Sequence, residues 1–224
     1  MNLIVDYFDN KEIITNEYIN VIEVENKRYF YRFVNDLYSI YTNGYSDNIR
    51  FIDDNKEINM NNKLKIFINY FDFQFASKKY TNEISRYVGN YINEGDKKNL
   101  INLYNKIVKI YKKSLNDIDL PLYIDNDISI ESINKLIKLG ISPKEELLDN
   151  LMLLIDLEVT LNTSNLLIFI NLKQYLNKDE LVELYKYAMI KDVKIILIDS
   201  YTYGVTLKNE KKHIIDENLD EFMI

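Results

Sequence analysis

The chain has no cysteine and a single histidine, His213. The first absence removes disulfide frameworks, zinc knuckles, iron–sulfur clusters and thiol nucleophiles, and it fits a reducing compartment. The second removes histidine-cluster metal sites and most histidine-based acid–base schemes. Glycine is scarce too: Gly44, Gly89, Gly95, Gly140 and Gly204 form neither G-x-x-x-x-G-K-[ST] nor G-x-G-x-x-G. No loop can then bring several backbone N–H groups onto a phosphate in the usual way, and an ATPase is not expected. No apolar run reaches the ~18 residues of a membrane span. The apolar start at Leu3 meets Asp6 too soon for a signal peptide, so a cytoplasmic protein without a membrane partner is expected.

What is present is a chain of 224 residues, 47% hydrophobic and 28% charged, enough to bury a core and form one large domain or a domain with an appended lobe. Its most informative stretch runs from 165 to 199. Two strand-length apolar, β-branched runs, Leu166–Ile170 and Val193–Asp199, flank an amphipathic helical segment, Lys178–Met189. Leu181, Leu184, Tyr185 and Ala188 share one face of that helix. The pattern is a βαβ unit, which places its two strands parallel in a buried sheet. Strands are also expected at 3–8, 19–24, 49–52 and 64–71, with a helix from Asn26 to Tyr41. From Ser77 the period becomes helical: one helix to Asn93, a break at Gly95-Asp96, and a second from Lys97 to Ser114. This αα-hairpin reads as a helical arm inserted between two halves of an α/β core. Further helices are expected from Ile130 to Leu139, stopped by Gly140, and from Lys144 to Leu161. The only prolines, Pro121 and Pro143, bracket what reads as the hinge between arm and core.

The formal charge of −7 argues against a chain coated in nucleic acid. Between Lys97 and Lys113, however, lie six lysines and no Asp or Glu. Leu100, Leu103, Tyr104, Ile107, Val108 and Tyr111 form one stripe of that helix, and Lys98, Lys106, Lys109 and Lys113 lie opposite. Such a ridge can track a phosphate backbone. Equally, it can be a solvated face, although solubilising faces ordinarily mix both signs. Asp119, Asp125, Asp127 and Glu131 gather oxygen ligands in a short loop and the start of a helix, which suits a hard cation such as calcium. The competing reading is N-capping and surface acid. A metal-dependent nuclease can be assembled from Asp6 and the Glu25-x-Lys27 triplet, a pattern that arises easily by chance in so charged a chain.

The order around the βαβ unit carries a resemblance. An apolar strand ends in Asn171, Tyr175-Leu176 follows, Lys178-Asp179-Glu180 opens the helix, and a second strand ends in an acid. Val21-Ile-Glu-Val-Glu25 runs into a Tyr/Phe-rich helix, Arg50-Phe51-Ile52-Asp53 into an acidic turn, and Asn116-Asp-Ile-Asp119-Leu120 and Ile214-Ile-Asp-Glu217 complete the set. The chain resembles the short form of the type II-A CRISPR adaptation protein family. The resemblance implies an α/β head, P-loop-like but without the phosphate loop, with an inserted extended α-helical arm. Its parts would be 1–74 (head, first part), 75–140 (arm and acidic hinge) and 141–224 (head, second part). It implies a non-enzymatic homotetrameric ring that binds double-stranded DNA ends without sequence preference and works with the CRISPR adaptation integrase and the guide-RNA-directed nuclease in spacer acquisition for antiviral defence. Lys98, Lys106, Lys109, Lys113, Lys135 and Lys138 would then contact phosphates. Asp119, Asp125, Asp127 and Glu131 would hold structural calcium at the hinge. The alternatives are the nuclease and a scaffold that does not bind DNA.

Overall fold

The strand Ile19–Val24 (β2) is buried at every position: Ile19, Val21, Ile22 and Val24 give the apolar, β-branched character of a strand inside a parallel sheet, and Asn20 and Glu23 are buried with them. The computed structural model describes residues 1–9, 19–54, 56–60, 63–73, 75, 77–115, 117–124, 129–137, 139–164 and 166–224, without the side chains of residues 78, 79, 131 and 135. Two compact units emerge: Met1–Phe73 together with Lys144–Ile224, and Gln74–Pro143.

The first unit holds two sheets. Asn2–Val5 (β1), Ile49–Asp53 (β3) and Lys56–Ile58 (β4) form a small antiparallel sheet in the order β1-β3-β4. Leu64–Phe67 (β5), Leu166–Ile170 (β6), Lys194–Asp199 (β7), Glu210–Ile215 (β8) and Glu221–Met223 (β9) join β2 in a six-stranded sheet ordered β5-β6-β7-β2-β8-β9. All its pairs are parallel except β8 with β9. Strands β6 and β7 are parallel neighbours, with Leu166 opposite Lys194 and Ile170 opposite Ile198, so the βαβ expectation holds. Lys178–Ile190 (α6) links them and opens on a capping box, in which Asn177 accepts from the N–H groups of Asp179 and Glu180 while Glu180 accepts from Asn177 N–H.

Alternation divides the sheet's side chains. Ile22, Val24, Ile168, Ile170, Ile196 and Ile198 join a core with Leu3, Val5 and Phe51 of the small sheet and with Phe33, Leu37 and Ile40 of the helix Lys27–Asn43 (α1). The other face carries Val21, Glu23, Leu167, Phe169, Leu197 and Asp199. Buried residues of Leu147–Leu161 (α5) and of α6, among them Leu151, Leu154, Leu184 and Tyr185, complete the core. Lys65 on β5 and Glu158 on α5 form a buried ion pair, and Glu158 also accepts from the hydroxyls of Thr163 and Ser164. Burial alone would raise that carboxyl's pKa, but Lys65 and the two hydroxyls outweigh it and hold it below the ordinary value.

β2 passes into α1 through Glu25 and Asn26. Asn26 is spent as the cap, accepting from Tyr29 N–H and donating to the Glu217 carbonyl. Several boundaries differ from the sequence expectation. Strands expected over 3–8 and 64–71 stop at Val5 and Phe67, and β4, β8 and β9 were not foreseen. α5 begins at Leu147 because the Asn150 side chain engages Lys144 N–H and the carbonyls of Lys144 and Glu146, satisfying that stretch without helix.

The second unit comprises Lys78–Tyr91 (α2), Glu94–Leu115 (α3) and Ile130–Leu136 (α4). Gly95-Asp96 does not interrupt α3. The break falls at Ile92-Asn93, where Ile92 is extended and Asn93 Oδ1 accepts from Asp96 N–H at 2.9 Å. Glu94 and Asp96 then lie in the first turn, where the helix dipole favours carboxylates. α4 ends at Leu136 and not at Gly140, closed by the Ile137 N–H on the Asn134 carbonyl. The left-handed glycine stop occurs instead at Gly44, after α1.

α2 and α4 touch where Gly89 meets Asn134. A Cβ at Gly89 would lie 2.5 Å from Asn134 Nδ2, an amide that is buried and donates to the Ser85 carbonyl. Gly89→Ala is therefore expected to destabilise the helical unit by about 1–2 kcal/mol, against the roughly 1 kcal/mol that alanine ordinarily gains over glycine in a helix. In an Asn134→Ala background the same change should stabilise. A double-mutant cycle by thermal denaturation checks both, and an equal effect in the two backgrounds would refute the contact.

Candidate nucleic-acid interface

Only Val108 of α3 is buried, while Leu100, Tyr104 and Leu115 are half-buried. The single apolar stripe read from the sequence is thus two. One line, Leu100, Tyr104, Val108 and Leu115, is the packed side. The other, Leu103, Ile107 and Ile110, lies in solvent, with Ile110 65% exposed. On the remaining side Lys98, Lys106, Lys109 and Lys113 are all exposed, at spacings that put them on one face. Lys106, Lys109 and Lys112 line an open cleft of about 640 Å³ with Asn102, Asn105 and Val108. Lys97 differs from the rest: it pairs with Glu94 at 2.7 Å, within the acidic first turn. Lys112, one of the six lysines counted in this segment but not among the expected phosphate contacts, and Asn105 share that cleft.

Lys135 lies on α4 with its side chain outside the described atoms, and Lys138 lies outside the described residues. Of the acids expected to bind metal, Asp119 is exposed. Asp125 and Asp127 are outside the described residues, and Glu131 starts α4 with its side chain outside them. Among the described residues no three metal-ligating side chains converge. Asp6, which the nuclease reading needs, receives both Arg50 Nη1 and Nη2, at 3.0 and 2.7 Å.

A second charged site was not anticipated. Beneath α6, Glu23 Oε1 sits 2.9 Å from Lys212 Nζ and 3.4 Å from Lys173 Nζ, and Lys173 Nζ is 2.8 Å from Glu210 Oε1. Glu210 also accepts from Tyr185 OH and Leu207 N–H, and Lys212 donates to the carbonyls of Tyr203 and Val205. Asp199, level with Glu23 on the neighbouring strand, is fully buried, and among the described residues no side chain donates a hydrogen bond to its carboxylate oxygens. Burial pushes its pKa up to about 7. Lys173 opposes that shift, and the charges of Glu23 and Glu210 reinforce it. Lys173, Leu176, Lys178, Leu181, Tyr203, Val205 and Leu207 line a cavity of about 280 Å³ beside this cluster. The hint in the sequence was charge inside strand-like runs, as in Glu210-Lys-Lys-His213, where polar residues survive only when paired.

The structure is therefore a mixed α/β protein whose largely parallel sheet pairs Glu23 and Glu210 with Lys173 and Lys212 and leaves Asp199 as the odd carboxyl, with an acid-free basic helix face in a second unit. The family model for "CRISPR-associated protein (Cas_Csn2)" matches residues 40–219, and the chain belongs to this family. Membership places it in CRISPR adaptation. A solved structure described as Stu0660 of Streptococcus thermophilus shares the fold, with a TM-score of 0.63 at 14% identity, covering 96% of this chain and 75% of that one. No curated protein matches. No helix among the described residues is long and apolar enough to cross a membrane.

Proposed function

We propose that the protein binds double-stranded DNA ends without sequence preference, as a homotetrameric ring, in support of spacer acquisition alongside the CRISPR adaptation integrase and the guide-RNA-directed nuclease. The observation that carries this reading is the α3 face: Lys98, Lys106, Lys109 and Lys113 exposed together, without a carboxylate after Asp96 in the helix. Phosphates neutralised by such a row release counterions, so affinity falls steeply with salt and is blind to sequence. Net negative charge does not oppose this if symmetry gathers several basic faces around one channel and leaves the acids outside. The solvent-facing Leu103, Ile107 and Ile110 beside the lysines support assembly, because an apolar line next to a binding face fits a neighbouring copy. Calcium would act on shape: Asp119 supplies a hard oxygen donor, and Asp125, Asp127 and Glu131 would complete the set. A non-enzymatic role is consistent with the pairing of Asp6 to Arg50.

The test is a gel shift with linear duplex and a covalently closed circle of the same sequence, with calcium or chelator. A ring must be threaded, so the linear form should bind and the circle should not, and chelation should weaken binding. Lys106→Glu/Lys109→Glu should lower affinity at least tenfold, while neutral Lys106→Gln/Lys109→Gln should shallow the salt dependence by about two phosphates, a slope change near 1.8, for each protomer whose face engages the duplex. Unchanged affinity and slope would make the face a mere surface and favour the scaffold. Nicking in magnesium or manganese would favour the nuclease.

A further inference from the structure

α1, in the other unit, carries a second acid-free face. Lys27, Arg28, Tyr31, Arg32, Asn35 and Tyr38 fall on its exposed side, at helical spacing. The helix has one acid, Asp36, and it is occupied: Asp36 Oδ2 accepts from Tyr7 OH at 3.0 Å and from Asn48 Nδ2 at 3.2 Å. Arg32 is held in place, its guanidinium carbon 4.0 Å from the centroid of the Tyr7 ring and Nη2 within 3.4 Å of Asn48 Oδ1. It keeps further N–H donors for a ligand. Tyr31 is 72% exposed and Tyr38 47%, the latter in ring contact with Tyr41.

Helix stability does not explain this placement. Lys27 and Arg28 occupy the first turn, which holds no acid, and the last turn holds no base. Cations there oppose the helix dipole and cost stability. In a chain with 35 acidic residues, three cations and two open tyrosine rings on one face complement a negatively charged partner that also offers aromatic surfaces. Double-stranded DNA meets only the first condition, because its base faces are stacked away. Unpaired nucleotides meet both: phosphates for Lys27, Arg28 and Arg32, and bases for Tyr31 and Tyr38.

We propose that the outer face of α1 binds the unpaired nucleotides of a DNA end, a single-stranded extension beside the duplex. This rests on the reading that the protein handles DNA ends, but it uses different residues in a different unit.

Fluorescence anisotropy of the full chain tests it with three probes: a blunt duplex, the same duplex with a ten-nucleotide single-stranded tail, and the free tail. The tailed duplex should bind about fivefold or more tightly than the blunt one, a ratio set by stacking of at least one base. Tyr31→Ala/Tyr38→Ala should abolish that advantage and leave blunt binding unchanged. Arg28→Glu should do the same, and neither change removes a buried side chain. Lys106→Glu/Lys109→Glu should weaken the blunt duplex while the free tail still binds. If blunt duplex is never bound, the α3 reading fails, and tail binding that depends on Tyr31 and Arg28 still upholds the α1 face. The proposal is overturned if the tail adds nothing, or if its contribution survives both the tyrosine and the Arg28 substitutions. An acidic polypeptide that competes with the tail no better than free chloride is consistent with it. One that binds α1 while the tail does not would overturn it.

Discussion

Lys212→Met is expected to destabilise the protein by about 3–5 kcal/mol, the range for stranding a buried charge. Lys212 is 1% exposed and does three things at once: it faces Glu23 at 2.9 Å and donates to the carbonyls of Tyr203 and Val205 at 2.7 and 3.0 Å. Without it Glu23 keeps only Lys173, at 3.4 Å and already committed to Glu210. Two loop carbonyls lose their donor as well. The loss is a large share of the roughly 5–15 kcal/mol by which a domain is stable. Glu23→Gln in the same chain should restore part of it, since the cost lies in the uncompensated carboxylate more than in the missing bond. Urea denaturation of the single and double variants decides the matter. A loss below about 1 kcal/mol for Lys212→Met would show that the cluster is solvated and not buried.

The second large effect depends on pH. Glu23 and Glu210 balance Lys173 and Lys212, so Asp199 is the odd charge of the cluster. Its carboxyl goes from a value of 3.8 when free to about 7 in the fold. Below the lower value both folded and unfolded chains hold the proton, and the carboxyl has no effect. Between the two the native state retains a proton that the unfolded chain has released, so stability falls as pH rises. The loss is complete once pH passes the folded value. A shift of this size corresponds to about 4 kcal/mol, to order of magnitude. Asp199→Asn keeps the shape without the charge. It should remove this fall between about pH 4 and pH 7, leaving the opposite trend of buried His213, whose pKa desolvation lowers so that acidification favours the unfolded chain, and it should exceed the wild type in stability above that window. Glu158 has the opposite sign: its depressed carboxyl contributes stability that disappears on acidification below its ordinary range. Denaturation midpoints from about pH 3 to pH 8 separate the two, and a wild-type profile parallel to that of Asp199→Asn would count against the assignment.

Legibility followed from how locally each feature is encoded. The unit β6-α6-β7 could be read because apolar runs of strand length bracket a helix with its own capping box, all within one stretch of chain. β2 was readable for the same reason. β8 was not, since Glu210, Lys212 and His213 are buried there by partners outside the strand: Tyr185 for Glu210 and Glu23 for Lys212, both distant in sequence, and Glu221 of β9 for His213. The lysine face of α3 was visible in the spacing of Lys98, Lys106, Lys109 and Lys113. The division of its apolar side into packed and open lines was not, because it depends on how few neighbours α3 has. Asp125 and Asp127, named from the sequence as metal ligands, fall outside the described residues, so the fold leaves that reading where the sequence put it.

The position of β2 also governs how the molecule can be made. Its hydrogen-bonding neighbours are β7 and β8, with Asn20 beside Ile196 and Ile22 beside His213. On the ribosome, β2 and α1 emerge when neither of those strands has been synthesised, and the intervening helical unit must appear first. Closure of the sheet is thus a late, long-range event, which loop entropy makes slow. Until β7 and β8 are available, both edges of this buried strand stand open to other chains. A nascent or truncated form of this protein is consequently a natural client for chaperones, and fusions or deletions that disturb β8 should be tolerated far less well than changes within the helical unit.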